Sequence, residues 1–394
     1  MNKLPIGNKQ ELNEDEFFNR THEISTITHL LELTSQNNAP NILLTGIRGV
    51  GKTVFIKKIK KEIQDDYLGI YIDFSKAECY QKDNMSIIGL MEFYYNEIIK
   101  ECKNRKLDTL DKKIEKYFKT NKFKIKNYGN INGIPFPIFD KETKTEDLIN
   151  FTMDLPKQIY EENKNKIKGI VIFIDEIQII RELNKYMESF LWKFRSFIEN
   201  QDNIAYILAG SMSLEDELIP QIASQGGVFG GRMFSFQLNV FGKNTVKKYL
   251  KERAPDLKLT EEGFNEFYSC TSGIPAYINF FGLLLPKNTE LNDNDIKNKF
   301  EDMISVLSVH IISLWSKLSI KEKEIIISLL NGSLKRIDIA NEINITTGAL
   351  SIYLNHLKNQ GLIRFKNNRY EICEPMLASW LRIEYEKNGI YPFK

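Results

Sequence analysis

The segment that decides the fold lies at residues 46–53 and has the sequence GIRGVGKT. The apolar segment NILLT at residues 41–45 precedes it, and an amphipathic helix beginning at Lys52 is predicted to follow. A strand, a glycine-rich turn and a helix in this order are the context of a phosphate-binding loop, G-x-x-x-x-G-K-[ST]. A glycine turn without a ligand would not require Lys52 and Thr53 at its end, so the pattern predicts nucleotide binding.

The residues of this loop have distinct chemical tasks. The backbone that curls around phosphate oxygens is that of Gly46, Gly49, Val50 and Gly51. The N-terminal end of the following helix is itself favourable for an anion. Lys52 can reach the outer phosphates, and the hydroxyl of Thr53 can ligate Mg²⁺. We therefore expect ATP and Mg²⁺ as the ligands.

An acidic pair follows a predicted buried strand. The apolar segment GIVIFI at residues 169–174 ends in Asp175 and Glu176. Ligands of open parallel sheets bind at the carboxyl ends of the strands, so both acids are expected to face the phosphate loop. Asp175 would hold Mg²⁺, and Glu176 would activate the attacking water as a general base. An acidic turn after a strand is common, but together with the phosphate loop it favours the second half of a nucleotide site.

A serine follows the next apolar strand. The segment IAYILA at residues 204–209 ends in Gly210 and Ser211. In one interpretation, Ser211 forms a hydrogen bond with the attacking water or the γ-phosphate. In the other, it belongs to an ordinary helix N-terminus with Ser213 and the acidic residues 215–217. The sequence leaves both interpretations open.

These motifs together resemble those of the archaeal-type ATPase family, which belongs to the STAND signalling ATPases and is close to the AAA+ and origin-recognition proteins. The resemblance covers nearly the whole chain except residues 100–145. Besides GIRGVGKT, the similar segments are FNR (18–20) with Glu23, FIDEIQ (173–178), AGSM (209–212), FGGR (229–232), TSGIPAY (271–277) and YEI (370–372) with Pro375 and Trp380.

The resemblance implies roles for three further residues. Arg20 would border the adenine, and Pro275 would place a helical lid over the base and ribose. Arg232 would approach the γ-phosphate, from the same chain or from a neighbouring subunit of a homo-oligomer, since a guanidinium can bind two phosphate oxygens at once. The alternatives are a surface charge at a strand edge for Arg232 and a simple helix C-cap for the turn before Pro275.

Strands that alternate with helices predict an open parallel α/β sheet. We predict a P-loop ATPase core over residues 1–240, a helical lid over 241–312 and a winged-helix domain over 313–394. The core carries a surface insertion at about residues 100–145, which is rich in Lys and Asn. Its segment from Lys100 to Lys126 has a net charge of +7, which indicates either a solvated face or a docking surface for an acidic partner.

The predicted winged helix has three helices and a hairpin. The helices are expected at residues 320–330, at 336–343 and after a cap at Thr346 or Thr347, and the hairpin at 362–372. In DNA-binding versions the third helix enters the major groove. Its outward residues are expected to be Ser351, Asn355, Lys358 and Asn359, of which only one is cationic. Because DNA affinity needs several cationic contacts, DNA and a protein remain alternative partners.

The composition of the 394 residues bounds the function class. A net charge of +2 argues against a strongly basic coat but permits a local basic face. No apolar segment is long enough for a signal peptide or a membrane span, so we expect a cytoplasmic protein with no membrane partner. The four Cys and four His lack metal-ligand spacing. No guanine-reading N-K-x-D motif follows the acidic pair, which favours ATP over GTP.

The favoured interpretation is a slow ATPase that acts as a molecular switch and moves the C-terminal domain. The alternative is a DNA-binding initiator or regulator whose DNA affinity is set by ATP. A nucleotide-gated scaffold without hydrolysis is a third interpretation.

Overall fold

The structure is a computed structural model that describes residues 4–5, 12, 17–107, 125–131, 134–139, 145–211, 218–307 and 309–393. The first seven strands are β1 (Asn41–Thr45), β2 (Tyr67–Asp73), β3 (Ile125–Ile131), β4 (Ile134–Phe139), β5 (Gly169–Asp175), β6 (Ile204–Ala209) and β7 (Phe234–Gln237). Five of them form one parallel sheet in the spatial order β2-β5-β6-β1-β7. The predicted open parallel α/β sheet is therefore confirmed.

Helices cover both faces of this sheet. Alternate residues of β5 enter different apolar clusters, with Val171 and Phe173 in one and Ile170 and Ile172 in the other. Burial on both faces explains why this strand has no polar alternation in the sequence. The helices of this part are α1 (Thr21–Glu32), α2 (Lys52–Glu62), α3 (Glu78–Gln81), α4 (Ile87–Asn104), α5 (Thr145–Asn163), α6 (Met187–Ile198) and α7 (Leu218–Ala223).

Two segments differ from the sequence-based expectation. The sequence pattern over residues 183–199 predicts a helix that begins near Leu183. The helix begins at Met187 instead, because residues 177–186 form 3₁₀ turns that are interrupted at Asn184, with φ 50° and ψ −121°. The expected insertion begins later than residue 100, since α4 continues to Asn104 with Cys102 buried. It also contains the antiparallel hairpin β3–β4. Residues 108–124, which carry +3 of the net charge of +7 between Lys100 and Lys126, lie outside the described residues.

The chain after β7 is mainly helical, as predicted. It contains a two-residue parallel pairing of β8 (Lys258–Leu259) with β9 (Glu290–Leu291). The helices up to residue 317 are α8 (Lys243–Arg253), α9 (Glu261–Thr271), α10 (Pro275–Leu284), α11 (Asp293–Leu307) and α12 (Val309–Lys317).

The residues from 319 onward, here called the C-terminal module, follow the predicted order of three helices and a hairpin. Thr346 rather than Thr347 caps the third helix, because its Oγ1 accepts a hydrogen bond from the N–H of Ala349 at 3.2 Å. The elements are α13 (Ile320–Ser328), α14 (Arg336–Glu342), α15 (Thr347–Asn359), β10 (Ile363–Lys366), β11 (Arg369–Ile372) and α16 (Pro375–Asn388).

One apolar cluster joins the helices after β7 to the C-terminal module. It includes Phe267 and Ile278 from the helices and Leu354 and Trp380 from the module. The rings of Trp315 and Trp380 meet at 5.9 Å between centroids. The two parts therefore share a core, and a displacement of one is resisted by contacts with the other. No helix among the described residues is long and apolar enough to cross a membrane.

Candidate nucleotide site

The loop between β1 and α2 has a backbone that requires glycine. Gly49 and Gly51 have φ angles of 79° and 97°, in a region that side chains with a Cβ rarely adopt. A Cβ on Gly46, whose φ is 153°, would lie 2.7 Å from the carbonyl oxygen of Leu238. The loop therefore takes a tight, anion-accommodating shape at the N-terminus of α2 because these positions carry no side chain.

Lys52 lies inside this loop. Its Nζ donates hydrogen bonds to the carbonyl oxygens of Gly46 at 2.8 Å and Ile47 at 3.1 Å. Burial lowers the pKa of Lys52 to about 8, although the carboxylates of Glu176 and Asp175 oppose this shift. The ammonium is thus held at the mouth of the loop by two carbonyls, which a phosphate oxygen could replace as hydrogen-bond partners.

Asp175 gathers three donors at the end of β5. Its Oδ2 accepts hydrogen bonds from Thr53 Oγ1 at 2.7 Å and from the Tyr71 hydroxyl at 2.9 Å. Its Oδ1 accepts the N–H of Glu176 at 3.0 Å. The acid pair and the phosphate loop, predicted to face each other, are brought together in this way. Tyr71 was not identified from the sequence, which carries no signal for it.

The oxygen atoms of Thr53 and Asp175 suit Mg²⁺. A hydroxyl and a carboxylate are hard ligands, and Mg²⁺ in nucleotide sites takes one or two protein ligands together with water and phosphate. No group of three or more His, Cys, Asp or Glu among the described residues could form a metal cage on its own. The donor set therefore fits a metal that arrives with a phosphate.

Glu176 follows Asp175 in a left-handed conformation, with φ 57°. Burial raises the pKa of its carboxyl group, which moves it towards the range useful for a general base. The Gln178 side chain donates a hydrogen bond to Glu176 Oε2. The Oε1 atom of Gln178 accepts the N–H of Ser211 at 3.2 Å. Gln178 thus links the acid to the end of β6, a contact that sequence reasoning missed although FIDEIQ contains this residue.

Ser211 lies at the edge of a cavity that is also lined by the phosphate loop and Glu176 and has a volume of about 490 Å³. The alternative helix start with Ser213 and residues 215–217 lies outside the described residues, and α7 begins at Leu218. The other described residues that line the cavity are Pro5, Leu12, Phe17, Phe18, Arg20, Arg48, Gly49, Val50, Gly51, Lys52, Thr53, Val54, Phe55, Glu176, Leu238, Phe241, Tyr249, Pro275, Ala276 and Asn279.

Arg20 forms one wall of this cavity. Its guanidinium donates to Glu23 Oε1 at 3.1 Å and to the carbonyl oxygen of Asn239, and it lies 5.1 Å from the centroid of the Phe241 ring. The side chain is buried because these three groups enclose it. Arg20 is therefore held in place beside the cavity. The family resemblance implies that it borders the adenine there.

Pro275 is the first residue of α10, and the next residue contacts the phosphate loop. The N–H of Ala276 donates to the carbonyl oxygen of Gly49 at 3.2 Å. A Cβ on Gly49 would lie 3.0 Å from Ile274 Cγ2, so the loop and α10 are closely packed. The turn before Pro275 depends on Gly273, whose φ is 70° and whose carbonyl oxygen accepts the N–H of Phe241 at 2.8 Å.

Arg232 lies away from the site. Its Nη1 pairs with Glu199 Oε1 at 2.7 Å, and 67% of its side chain is exposed. It is not among the described residues that line the cavity. Within one chain, the structure does not bring Arg232 to the phosphate loop, and a role in a neighbouring subunit stays a prediction.

Comparisons with known proteins agree with this geometry. The family described as ATPase domain predominantly from Archaea matches residues 17–281, about two-thirds of the chain. An uncharacterized ATP-binding protein of Methanocaldococcus jannaschii is 26% identical over 272 residues, 66% of this chain and 68% of that protein. A second such protein from the same organism is 22% identical over 352 residues, 83% of each chain.

A solved structure shares the fold. The Walker-type ATPase of Pyrococcus abyssi matches with a TM-score of 0.65 and 20% sequence identity, covering 95% of this chain and 99% of that one. The similarity therefore extends through the helices after β7 and the C-terminal module.

Proposed function

The chain belongs to the family of ATPase domains found predominantly in Archaea, and from this membership we propose that it is a slow, ATP-driven molecular switch. ATP would lie in the cavity between the phosphate loop and α10. The observation that carries the proposal is a continuous path of contacts from the loop through α10 to the C-terminal module. This path gives nucleotide binding a route to a distant part of the molecule.

The loop residues would bind the phosphates. Lys52 would exchange its two loop carbonyls for phosphate oxygens, and the backbone N–H groups of Gly49, Val50 and Gly51 would surround the same anion. Thr53 and Asp175 would hold Mg²⁺, which neutralises charge on the phosphate oxygens when bound. Tyr71 would keep Asp175 oriented through its hydrogen bond of 2.9 Å.

Glu176 would accept the proton of the attacking water. Its raised pKa keeps the carboxylate basic enough for this task. Gln178 would act as a positioning residue, because it fixes the Glu176 carboxyl group and is itself fixed by the N–H of Ser211. Ser211 would contribute its backbone to this arrangement.

The path to the C-terminal module runs through Tyr277, one residue beyond the loop contact of Ala276. The Tyr277 hydroxyl donates to Glu374 Oε1 at 2.6 Å, in a buried position. Glu374 is the N-cap of α16, since the same carboxylate oxygen accepts the N–H of Met376 at 3.3 Å. A shift of α10 caused by a nucleotide at Gly49 would therefore reach α16 through this hydrogen bond as well as through the shared apolar cluster.

We expect slow turnover because few cationic side chains at the site could stabilise the charge that develops during phosphoryl transfer. Among the described residues that line the cavity, the cations are Arg20, Arg48 and Lys52. The guanidinium of Arg20 already donates hydrogen bonds to Glu23 and to the carbonyl oxygen of Asn239. In related phosphoryl-transfer enzymes, an arginine supplied from outside raises turnover by about 10³–10⁵. A partner, or Arg232 of a second copy, could supply such a group.

Two substitutions test the proposal. Lys52→Ala should abolish ATP binding, because it removes the cation inside the loop. Glu176→Gln should retain binding and lose turnover, because the amide cannot accept the proton. ATP binding is measured by calorimetry and phosphate release by a coupled assay, with Glu182→Gln, an acid of the nearby 3₁₀ segment, as the matched control. Parent-like turnover by Glu176→Gln would refute its assignment as the base.

A second candidate is a DNA-binding regulator whose DNA affinity is set by ATP. The order of helices and hairpin in the C-terminal module favours it. The surface of the module favours a protein partner, because Ile352 on α15 is 75% exposed and Ile337 on α14 is 57% exposed. Among its cations, Arg364 pairs with Glu371 at 2.6 Å. A gel-shift assay on random duplex DNA with and without ATP separates the two: no shift at low salt excludes the DNA reader.

A further inference from the structure

A buried carboxylate with one unused oxygen lies beside the phosphate loop. Glu374 is only 8% exposed. The hydroxyl of Tyr277 and the N–H of Met376 both donate to its Oε1, at 2.6 Å and 3.3 Å. Among the described residues, no donor reaches Oε2 and no cation forms an ion pair with this carboxylate. A buried charge with only neutral partners is costly, so Glu374 lacks a counter-charge.

Arg48 is a cation of the phosphate loop that no contact holds in place. It is exposed, and it lines the nucleotide cavity. Its guanidinium forms no hydrogen bond or ion pair with any other residue in the described part of the chain. The neighbouring cation Lys52, by contrast, is buried and donates to two loop carbonyls. Arg48 can therefore turn towards a nearby anion without breaking a contact.

The packing of α10 brings this cation and this carboxylate into the same region. The N–H of Ala276 donates to the carbonyl oxygen of Gly49, the residue after Arg48, at 3.2 Å. The next residue of α10, Tyr277, donates to Glu374. Burial raises the pKa of the Glu374 carboxyl group, and the hydrogen bonds to it and the charge of Arg48 oppose that rise. The loop cation and the N-cap of α16 are thus electrostatic neighbours.

Arg48 also acts on Lys52. Burial is the main cause of the lowered pKa of Lys52, and repulsion from Arg48 adds to it. Without an anion in the cavity, Arg48 is therefore repelled by Lys52 and attracted by Glu374. A bound triphosphate reverses this balance, because a guanidinium forms charge-assisted hydrogen bonds with phosphate oxygens.

We propose that Arg48 moves its charge from Glu374 to the phosphates when ATP binds, which withdraws a counter-charge from the N-cap carboxylate of α16. This inference rests on the proposed function, since it needs ATP in the cavity. Arg48 then has two anionic partners that compete for it. Such coupling is reciprocal, so a change that removes the charge of Glu374 strengthens ATP binding.

The test is a double-mutant cycle of ATP affinity, measured by calorimetry with Mg²⁺ on the full chain. Arg48→Gln should weaken ATP binding at least about tenfold, because it removes charge-assisted hydrogen bonds to phosphate. Glu374→Gln keeps the shape and an acceptor for Tyr277, and it should strengthen ATP binding about fivefold or more. In the Arg48→Gln background, the same change should alter affinity by less than about twofold, because the competition is gone.

The matched control is Lys251→Gln, which removes one positive charge at an exposed position of α8. It should bind ATP within about twofold of the parent, since salt screens an exposed distant charge. An equal gain from Glu374→Gln with and without Arg48 would overturn the proposal, because it would show direct repulsion between the carboxylate and the phosphates. Absence of a gain in the parent background would overturn it as well.

A measurement without nucleotide separates this proposal from the proposed function. In the free protein, Arg48→Gln should lower the urea unfolding midpoint, and the loss should be smaller when residue 374 is already Gln. If the parent binds ATP but this difference is absent, the proposed function stands and the role of Arg48 is overturned. If the difference is present but the parent binds no ATP, the proposed function fails, and the exchange fails with it.

Discussion

Replacing Tyr277 with Phe tests the path from the nucleotide cavity to the C-terminal module. The substitution removes the hydroxyl that donates to Glu374 at 2.6 Å and changes nothing else in shape. Hydrogen bonds to charged groups contribute about 1.5–3 kcal/mol. Because Glu374 keeps the N–H of Met376 as a donor at 3.3 Å, we expect a loss of about 2 kcal/mol in the free energy of unfolding at neutral pH.

This loss should depend on pH in a defined direction. Burial raises the pKa of Glu374, and the hydrogen bond from Tyr277 opposes that rise. Tyr277→Phe therefore raises the pKa of Glu374 further in the folded state. A carboxyl group with a raised folded pKa contributes stability at low pH that is lost as the pH rises through that pKa. The destabilisation should accordingly be smaller at acid pH than at pH 7, as urea unfolding at both pH values would show.

The functional measurement is hydrogen–deuterium exchange of residues 319–388 with and without an ATP analogue and Mg²⁺. The parent should show nucleotide-dependent exchange in α16, and Tyr277→Phe should show a weaker dependence, because only the apolar contacts between α10 and α16 remain. Its ATP affinity should stay near that of the parent, because Tyr277 is not among the described residues lining the cavity. Tyr268→Phe is the matched control, since its hydroxyl contacts the neutral carbonyl of Phe241 at 3.3 Å. An undiminished nucleotide response in Tyr277→Phe would refute the path.

Three further predictions concern the chemistry of the nucleotide site. Gln178→Ala should lower the rate of single-turnover hydrolysis about tenfold and leave ATP affinity unchanged, because it removes the hydrogen bond that positions the Glu176 carboxyl group. An equal loss of ATP affinity would show that Gln178 only maintains the structure. ATP affinity should fall as the pH rises above about 8, because Lys52 has a pKa of about 8 and binds phosphate in its protonated form. Calorimetry from pH 7 to pH 10 should show this fall in the parent and not in Lys52→Arg. Turnover should fall on the acid side as Glu176 becomes protonated, at a pH above the usual range for Glu; stopped-time phosphate assays that show no acid limb would contradict its role as the base.

The parts of the fold and site that follow from local sequence were predictable. The phosphate loop needs glycine at fixed positions, and GIRGVGKT supplies them between a strand and a helix. The burial of β5 on both faces appears in the sequence as an uninterrupted apolar run that ends in Asp175. Parallel strands end at one edge of a sheet, and for this reason Asp175 could be predicted to face Thr53, from which it lies 2.7 Å away.

The contacts that depend on distant segments were not predictable. Glu374 is 97 residues from its partner Tyr277, and no pattern in either segment indicates the bond. Tyr71 faces Asp175 because β2 and β5 pair in register, which the sequence does not specify. For Arg232 a local motif was present but did not place the side chain. The segment resembles a family motif that implies a position near the γ-phosphate, whereas the Arg232 side chain pairs with Glu199 within the chain.

The central claim is that the phosphate loop and the acid pair bind Mg²⁺ and ATP together. Isothermal titration of ATP into the purified full chain, with and without Mg²⁺, measures this directly. The account predicts one site per chain, tighter with Mg²⁺, and no binding in Lys52→Ala. Absence of binding in the parent, or the same binding in Lys52→Ala as in the parent, would contradict it.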